Sequence, residues 1–407
     1  MTDIKLKEIV SWSKGHSVPR DDTSVSKNIP YLHYGDLYKK YNFRLDLNKE
    51  YKSIIKIDPD SKIKPEQYLH DGDIVFTLTS ETVDDLGCCT LISNPEDLPF
   101  VTGMETTVVH ILDKNVVYPP YLNYLFQTNR FQKELRQYVT GMKVYRVHPK
   151  DLMNITVNVP SHDIQKKIAS FLDTISDKIV INHDINANLL ELLKIQFTRV
   201  LKLSNDSIRL GDIADIQTGP FGSQLHQEDY VKDGTPLVSV ENLGEFHLNR
   251  KHLPGITPED CIRLSRYLMK EGDIIFSRVG YVDRSSYVSK MEDGWMFSGS
   301  CLRIRNNDPD YSLYTYLFLN TNLSKETFKS IAVGATRPSI NSSILSEFEI
   351  IVPPKSYVKQ FNDYALKLES MMTVNMIEIE KLTILRDYLL PKLMSGEINI
   401  STLEIHN

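Results

Sequence analysis

Two loops concentrate side chains able to do chemistry, and each loop occurs twice in the chain. The first leaves an apolar stretch. Asp273-Ile274-Ile275-Phe276 runs into Ser277-Arg278-Val279-Gly280 with Arg284 close behind, and Asp73-Ile74-Val75-Phe76 runs into Thr77-Leu78-Thr79-Ser80. The second is a glycine turn: Gly334-Ala335-Thr336-Arg337-Pro338-Ser339-Ile340-Asn341 in one half, Gly141-Met142-Lys143-Val144-Tyr145-Arg146-Val147-His148 in the other. Arginine and lysine grip phosphates. Arginine also forks onto guanine, asparagine onto adenine, and hydroxyls bond to either. The same mixture is common on ordinary surface loops, so composition alone does not decide.

Signatures of catalysis are missing. There is no Walker loop, no GxSxG and no GxGxxG. Tyr118-Pro119-Pro120-Tyr121 resembles the Pro-Pro-aromatic motif of adenine methyltransferases, but tyrosine stands where that motif needs a side chain to hold the amine. A helix start explains the proline pair better. Pro309-Asp310 is followed by Glu326-Thr327-Phe328, without the lysine a nuclease motif requires. Cys88, Cys89, Cys261 and Cys301 form no CxxC pair and read as reduced thiols of a cytoplasmic protein.

The 407 residues, 41% hydrophobic and 25% charged, suit two or three soluble domains. No apolar run approaches the roughly 18–20 residues of a membrane span, and the opening Met1-Thr2-Asp3-Ile4-Lys5 shows no secretory signal. Net charge is −6; residues 1–203 carry 26 basic and 26 acidic side chains, residues 204–407 carry 21 and 27. Bulk charge therefore does not attract nucleic acid, and any such binding must use local patches or a partner's charge.

The loops repeat because the whole chain repeats. Ile4-Lys5-Leu6-Lys7-Glu8-Ile9 returns as Ile208-Arg209-Leu210-Gly211-Asp212-Ile213, Gly72-Asp73-Ile74 as Gly272-Asp273-Ile274, and Val157-Asn158-Val159-Pro160 as Ile350-Ile351-Val352-Pro353. The offset drifts from 204 to 200 to 193, which means loop insertions on a shared topology. Such a period exceeds the roughly 20–50 residues of solenoid units and implies two similar domains. In the first copy Ile74–Phe76, Val108–Ile111 and Ile155–Val159 are predicted strands and Leu122 to Tyr138 a helix. The second predicts strands at Asp273–Ser277 and Phe348–Val352 and a helix over Leu313–Ile331.

After each copy comes a heptad seam. Ile168, Leu172, Ile175, Ile179, Leu189, Leu193, Val200 and Leu203 alternate at spacings of four and three, interrupted by Asn182 and Asn186. Phe361, Ala365, Leu368, Met372, Ile379, Leu382 and Leu389 do the same, with Asn375 equivalent to Asn182 and Pro391 ending or kinking the helix. About 40 residues make a rod of roughly 60 Å. The two helices are expected to pair antiparallel, with buried asparagines fixing register, and to place the copies at opposite ends under an approximate internal twofold.

On these residues the chain resembles the specificity (S) subunit of type I restriction-modification systems. The carriers are Arg209-Leu210-Gly211-Asp212-Ile213 leading to Thr218-Gly219-Pro220-Phe221-Gly222-Ser223; Gly272-Asp273-Ile274-Ile275-Phe276-Ser277-Arg278; and Val352-Pro353-Pro354 followed by a helix closing on Leu390-Pro391-Lys392-Leu393-Met394-Ser395-Gly396-Glu397-Ile398. The resemblance spans the chain in the family's order. It departs in the first copy, which has Ser13-Lys14-Gly15-His16 for the opening loop and no arginine at the place of Arg278.

The resemblance implies an α/β (α+β) protein with two similar target recognition domains, 1–160 and 204–354, joined by two long antiparallel coiled-coil helices, 161–203 and 355–407. It implies no catalytic residues and no metal. Each domain would read half of a bipartite double-stranded DNA site. The helices would set the spacing and dock two modification (methyltransferase) subunits, which two restriction (translocase and nuclease) subunits can join. S-adenosylmethionine, ATP and Mg are expected on those partners, and no cofactor on this chain. Candidate DNA-contacting residues are Thr77, Thr79, Ser80, Lys143, Tyr145, Arg146, Gly222, Ser223, Gln224, Arg278, Arg284, Thr336, Arg337 and Asn341. Ile168, Leu172, Ile175, Ile179, Asn182, Leu189, Leu368, Met372, Asn375 and Leu382 are the candidates for helix pairing. The competing readings are a duplicated coiled-coil adaptor that binds protein, which the net negative charge favours, and a duplicated hydrolase or fused nuclease.

Overall fold

A computed structural model of the chain describes residues 2–400 apart from 42, 60, 61, 223 and 335. The chain forms two compact units that do not follow sequence order. The first joins the chain up to Lys178 to the stretch from Lys381 onward; the second is Ile179–Glu380.

In the first unit the apolar stretch Ile74–Thr77 is a fully buried strand at the middle of a five-stranded sheet. Thr106–Ile111 and Cys89–Ser93 flank it antiparallel, Val10–Lys14 lies beyond the former, and the short strand Arg44–Asp46 joins the far edge in parallel. Phe76 projects into the core between Trp12 and Phe126, at ring separations of 5.9 and 4.8 Å. Ile29–Leu32 pairs with Lys56–Ile57 and Val101–Thr102 in a smaller sheet. The opening strand Thr2–Lys5 pairs antiparallel with Thr156–Val159, which ties the start of the domain to its end.

The second unit repeats this plan. Ala214–Thr218, Cys301–Asn306, Ile274–Ser277 and Ser285–Tyr287 form the main sheet; Thr235–Val238 lies between Gly255–Ile256 and Met296–Phe297; Ser207–Arg209 pairs with Glu349–Ile351. Register is conserved between the copies: Ile74 faces Val109 and Ile274 faces Ile304.

The single helix expected over Leu122–Tyr138 is two helices, Pro119–Phe126 and Asn129–Arg136, and its counterpart is Ser312–Leu319 and Asn322–Ile331. The break has a local cause. The hydroxyls of Thr128 and Thr321 accept from the N–H groups of Phe131 and Ser324, capping a new helix in mid-run.

The long helices are His162–Leu201 and Lys355–Ser395. Gln165 fastens the first to its domain, donating to the Pro160 and Val116 carbonyls at 2.9 Å and accepting from the Tyr118 N–H at 2.8 Å. Within the first unit Ile168, Ala169 and Leu172 share one core with Leu390, Leu393 and Met394. Pro391 does not end the second helix. Packing of Leu393 and Met394 carries it one turn further, until Gly396 turns the chain at φ +77°.

Within the second unit Leu193 and Phe197 pack with Phe361, Ala365, Leu368 and Met372. Here the asparagines lie between the helices. Asn182 donates to Glu378 at 2.7 Å, Asn186 to the Met372 carbonyl at 3.2 Å, and Asn375 to Asn186 at 2.8 Å. Rising numbers on one helix meet falling numbers on the other, so the segments run antiparallel. Ile175 is buried, whereas Ile179, Leu189 and Leu382 are half-buried. Val180, Ile181, Ile185, Leu192 and Ile195 remain exposed.

Candidate nucleic-acid interface

In each unit the loop after the central strand and the glycine turn are one structure. In the first, Thr140 and Arg146 exchange backbone hydrogen bonds at 2.9 Å each way, closing a tight hairpin. Gly141 turns it at φ +105°, where a Cβ would stand 2.1 Å from the Val144 carbonyl oxygen. Tyr145–Arg146 then pairs antiparallel with Thr79–Ser80, and the Val147 N–H donates to the Leu78 carbonyl. Thr79, Ser80, Lys143, Tyr145 and Arg146 are thereby gathered on one ribbon whose tip carries Met142, 92% exposed. A two-stranded ribbon is an element that fits the major groove.

The second unit builds the same ribbon. Val333 and Ser339 exchange hydrogen bonds at 2.9 Å, Gly334 sits at φ +104°, and Ser339 bridges to Val279. The Ile340 N–H donates to the Arg278 carbonyl and the Gly280 N–H to Pro338. Arg278 and Arg337 thus line one cleft of about 750 Å³ with Phe221, Ser300 and Ser339. The Arg278 Nε donates to the Gly299 carbonyl at 2.7 Å, and its guanidinium lies 5.5 Å from the Phe221 ring centre. Arg284 rests on the Tyr281 ring at 3.9 Å, and Thr336 is exposed.

Other candidates stand elsewhere or have structural duties. Thr77 is fully buried and has no surface to offer a ligand. Gln224 is held in its loop: its side-chain oxygen accepts from the Tyr267 hydroxyl at 2.8 Å and its carbonyl from Arg263 at 2.9 Å. The Asn341 side chain accepts from the Ile344 N–H at 2.8 Å and caps the helix Ser342–Ser346. Gly222 is exposed in the cleft's rim, and Ser223 lies outside the described residues.

Sequence reasoning missed Phe221 and Tyr281. Both are exposed aromatics beside an arginine, and Phe221 sits in a Gly-Pro-Phe-Gly run in which Gly219 and Pro220 are buried while the Phe221 ring is left outside. It also missed a Ser-His-Asp arrangement. The Ser13 hydroxyl is 2.8 Å from His110 Nε2, and His110 Nδ1 is 3.0 Å from Asp73 Oδ1. That geometry suits nucleophile activation, but the repeat assigns it to architecture. At the matching place Arg305 holds Asp273 through two bonds of 2.6 Å, and Gln217 replaces the serine. Asp73 and Asp273 also accept the N–H of His70 and Lys270, each at 2.7 Å, so each carboxylate clamps a strand to its preceding turn. Among the described residues no group of three or more His, Cys, Asp or Glu could hold a metal ion, and no helix is long and apolar enough to cross a membrane.

A family profile described as the type I restriction modification DNA specificity domain matches residues 1–191 and again 204–365. The MjaIX specificity subunit of a type I restriction enzyme from Methanocaldococcus jannaschii is 26% identical over 327 residues, 72% of each chain. The HindI specificity subunit from Haemophilus influenzae is 35% identical over 190 residues, 46% of this chain and 40% of that one. The crystal structure of a type I restriction-modification S subunit from M. genitalium superposes with a TM-score of 0.57 at 15% identity, covering 96% of this chain and 95% of the other.

Proposed function

Because the chain belongs to the type I restriction-modification DNA specificity family, we propose that its two units each read one half of a bipartite double-stranded DNA site. The observation that carries this reading is the repeated ribbon: the same hairpin, closed by the same hydrogen bonds, presents Lys143, Tyr145 and Arg146 in one unit and Arg337 in the other, where Arg278 stands on the loop paired with it. Identical scaffolds with different tips are what two readers of different half-sites require. The net charge of −6 implies that bound partners supply much of the phosphate grip.

The long helices set the distance between half-sites and dock two modification subunits in a cytoplasmic complex. Exposed Val180, Ile181, Ile185 and Ile195 support that docking role. Two restriction subunits complete the assembly. Methyl transfer, with S-adenosylmethionine, and cleavage, with ATP and Mg, reside on the partners; this chain supplies base contacts and spacing.

Co-expression with its modification subunit, followed by single-molecule sequencing of genomic DNA, tests this. A split methylation motif with a fixed spacer is expected. A stable complex that leaves no motif, or an unsplit one, overturns the two-reader assignment in favour of a protein-binding adaptor.

A further inference from the structure

We propose that the second unit reads a guanine through Arg278, and that the first unit reads its half-site without an arginine at that position. This inference rests on the two-reader assignment above and names the base chemistry of one reader.

Most arginines of the second unit are already engaged. Arg303 pairs with Asp215, Arg305 with Asp273, Arg250 with Glu380 and Arg209 with Glu347. No carboxylate among the described residues pairs with Arg278 or Arg337, and both line the cleft.

Arg278 is also held in place. Its N–H donates to the Ser300 carbonyl at 3.0 Å, its carbonyl accepts from Ile340, its Nε is bound by Gly299, and its guanidinium lies near the Phe221 ring. A guanidinium has five N–H donors in a rigid plane. With Nε satisfied, the two terminal nitrogens keep a paired edge that matches guanine O6 and N7. An arginine fixed before binding loses little side-chain freedom on contact. The corresponding residue of the first unit is Leu78, which is buried, and the cleft on that unit's small sheet, lined by Tyr31, His33, Asp36 and Glu105 among others, has no arginine or lysine among its described lining residues.

The test uses the complex of the full chain with its modification subunit and duplexes carrying its methylation motif. Each guanine is replaced in turn by 7-deazaguanine, which lacks the N7 acceptor. At one guanine of one half-site the wild-type complex should weaken by roughly ten-fold. The Arg278→Ala complex should bind weakly and be indifferent to that replacement. Arg278→Lys keeps the charge but not the fork, so it should retain binding and lose the discrimination. Equal sensitivity of wild type and variants, or no sensitive guanine in either half-site, overturns the assignment while leaving two-half reading intact. Absence of any split motif overturns the two-reader assignment itself.

Discussion

His110 and Asp73 form a clamp whose strength depends on pH, with Nδ1 3.0 Å from Oδ1. Burial by itself would lower the imidazole pKa. The hydrogen bond and charge of Asp73 outweigh that, and the net shift is upward from 6.5. The fold therefore favours the charged imidazole: its contribution is complete below pH 6.5 and vanishes as pH rises through the folded value. Arg305 stays protonated throughout. Melting of the first unit should fall as pH rises above 6.5 in wild type, and this component should disappear in His110→Arg. Thermal scans of both proteins across that range check it; an unchanged pH profile in the variant contradicts the clamp.

Asn182 is buried in the helix pair of the second unit and donates to Glu378 at 2.7 Å. Asn182→Ala removes the donor while leaving the carboxylate in the seam, at a cost of about 1–3 kcal/mol. Urea unfolding should show an earlier midpoint. The exposed neighbour Asp184→Ala should change stability by less than about 0.5 kcal/mol.

Each unit has its own core, so damage should stay local. Phe76→Ala empties a fully buried site between Trp12 and Phe126 and should cost about 3–5 kcal/mol. Phe276→Ala does the same in the second unit, where the ring meets Phe328 at 4.9 Å. Hydrogen exchange should find lost protection confined to the mutated unit; loss in both would mean the cores are not separate.

Gly141→Ala puts a Cβ 2.1 Å from the Val144 carbonyl at a backbone angle that disfavours it. Only the hairpin tip depends on this turn. The complex should lose recognition of one half-site while the melting temperature barely moves. A methylation motif that keeps both halves unchanged would remove the hairpin from the reading surface.

The architecture was legible in the sequence because repetition supplies its own control: Phe76 and Phe276 mark the same strand, and the seam residues from Ile168 to Leu172 mark a helix that the core confirms. What was not legible depended on bonds between distant residues or on competition within a helix. A threonine inside a helical pattern reads as a weak helix former until its hydroxyl is seen capping Phe131. Pro391 reads as a stop or a kink until Leu393 and Met394 are seen holding the final turn in the core. The strand Arg44–Asp46, only three residues long, has no periodicity to detect. Asp73 and His110 are 37 positions apart, and only the strand pairing brings them together. The candidate loops were visible as loops, but the division of labour among their residues was not. Asn341 caps a helix and Thr77 faces inward, because strand register and capping fix which side chains remain for a ligand.

The first unit is discontinuous in the chain: its core includes Leu390, Leu393 and Met394, which are synthesised after the whole of the second unit. During translation the opening domain therefore waits, with Ile168 and Leu172 lacking their later partners, while some two hundred further residues emerge. The second unit meets no such delay and can close as soon as it leaves the ribosome. Birth order and completion order are thus reversed, and the nascent chain passes through a stage in which the part made first is the part whose apolar surface stays uncovered longest.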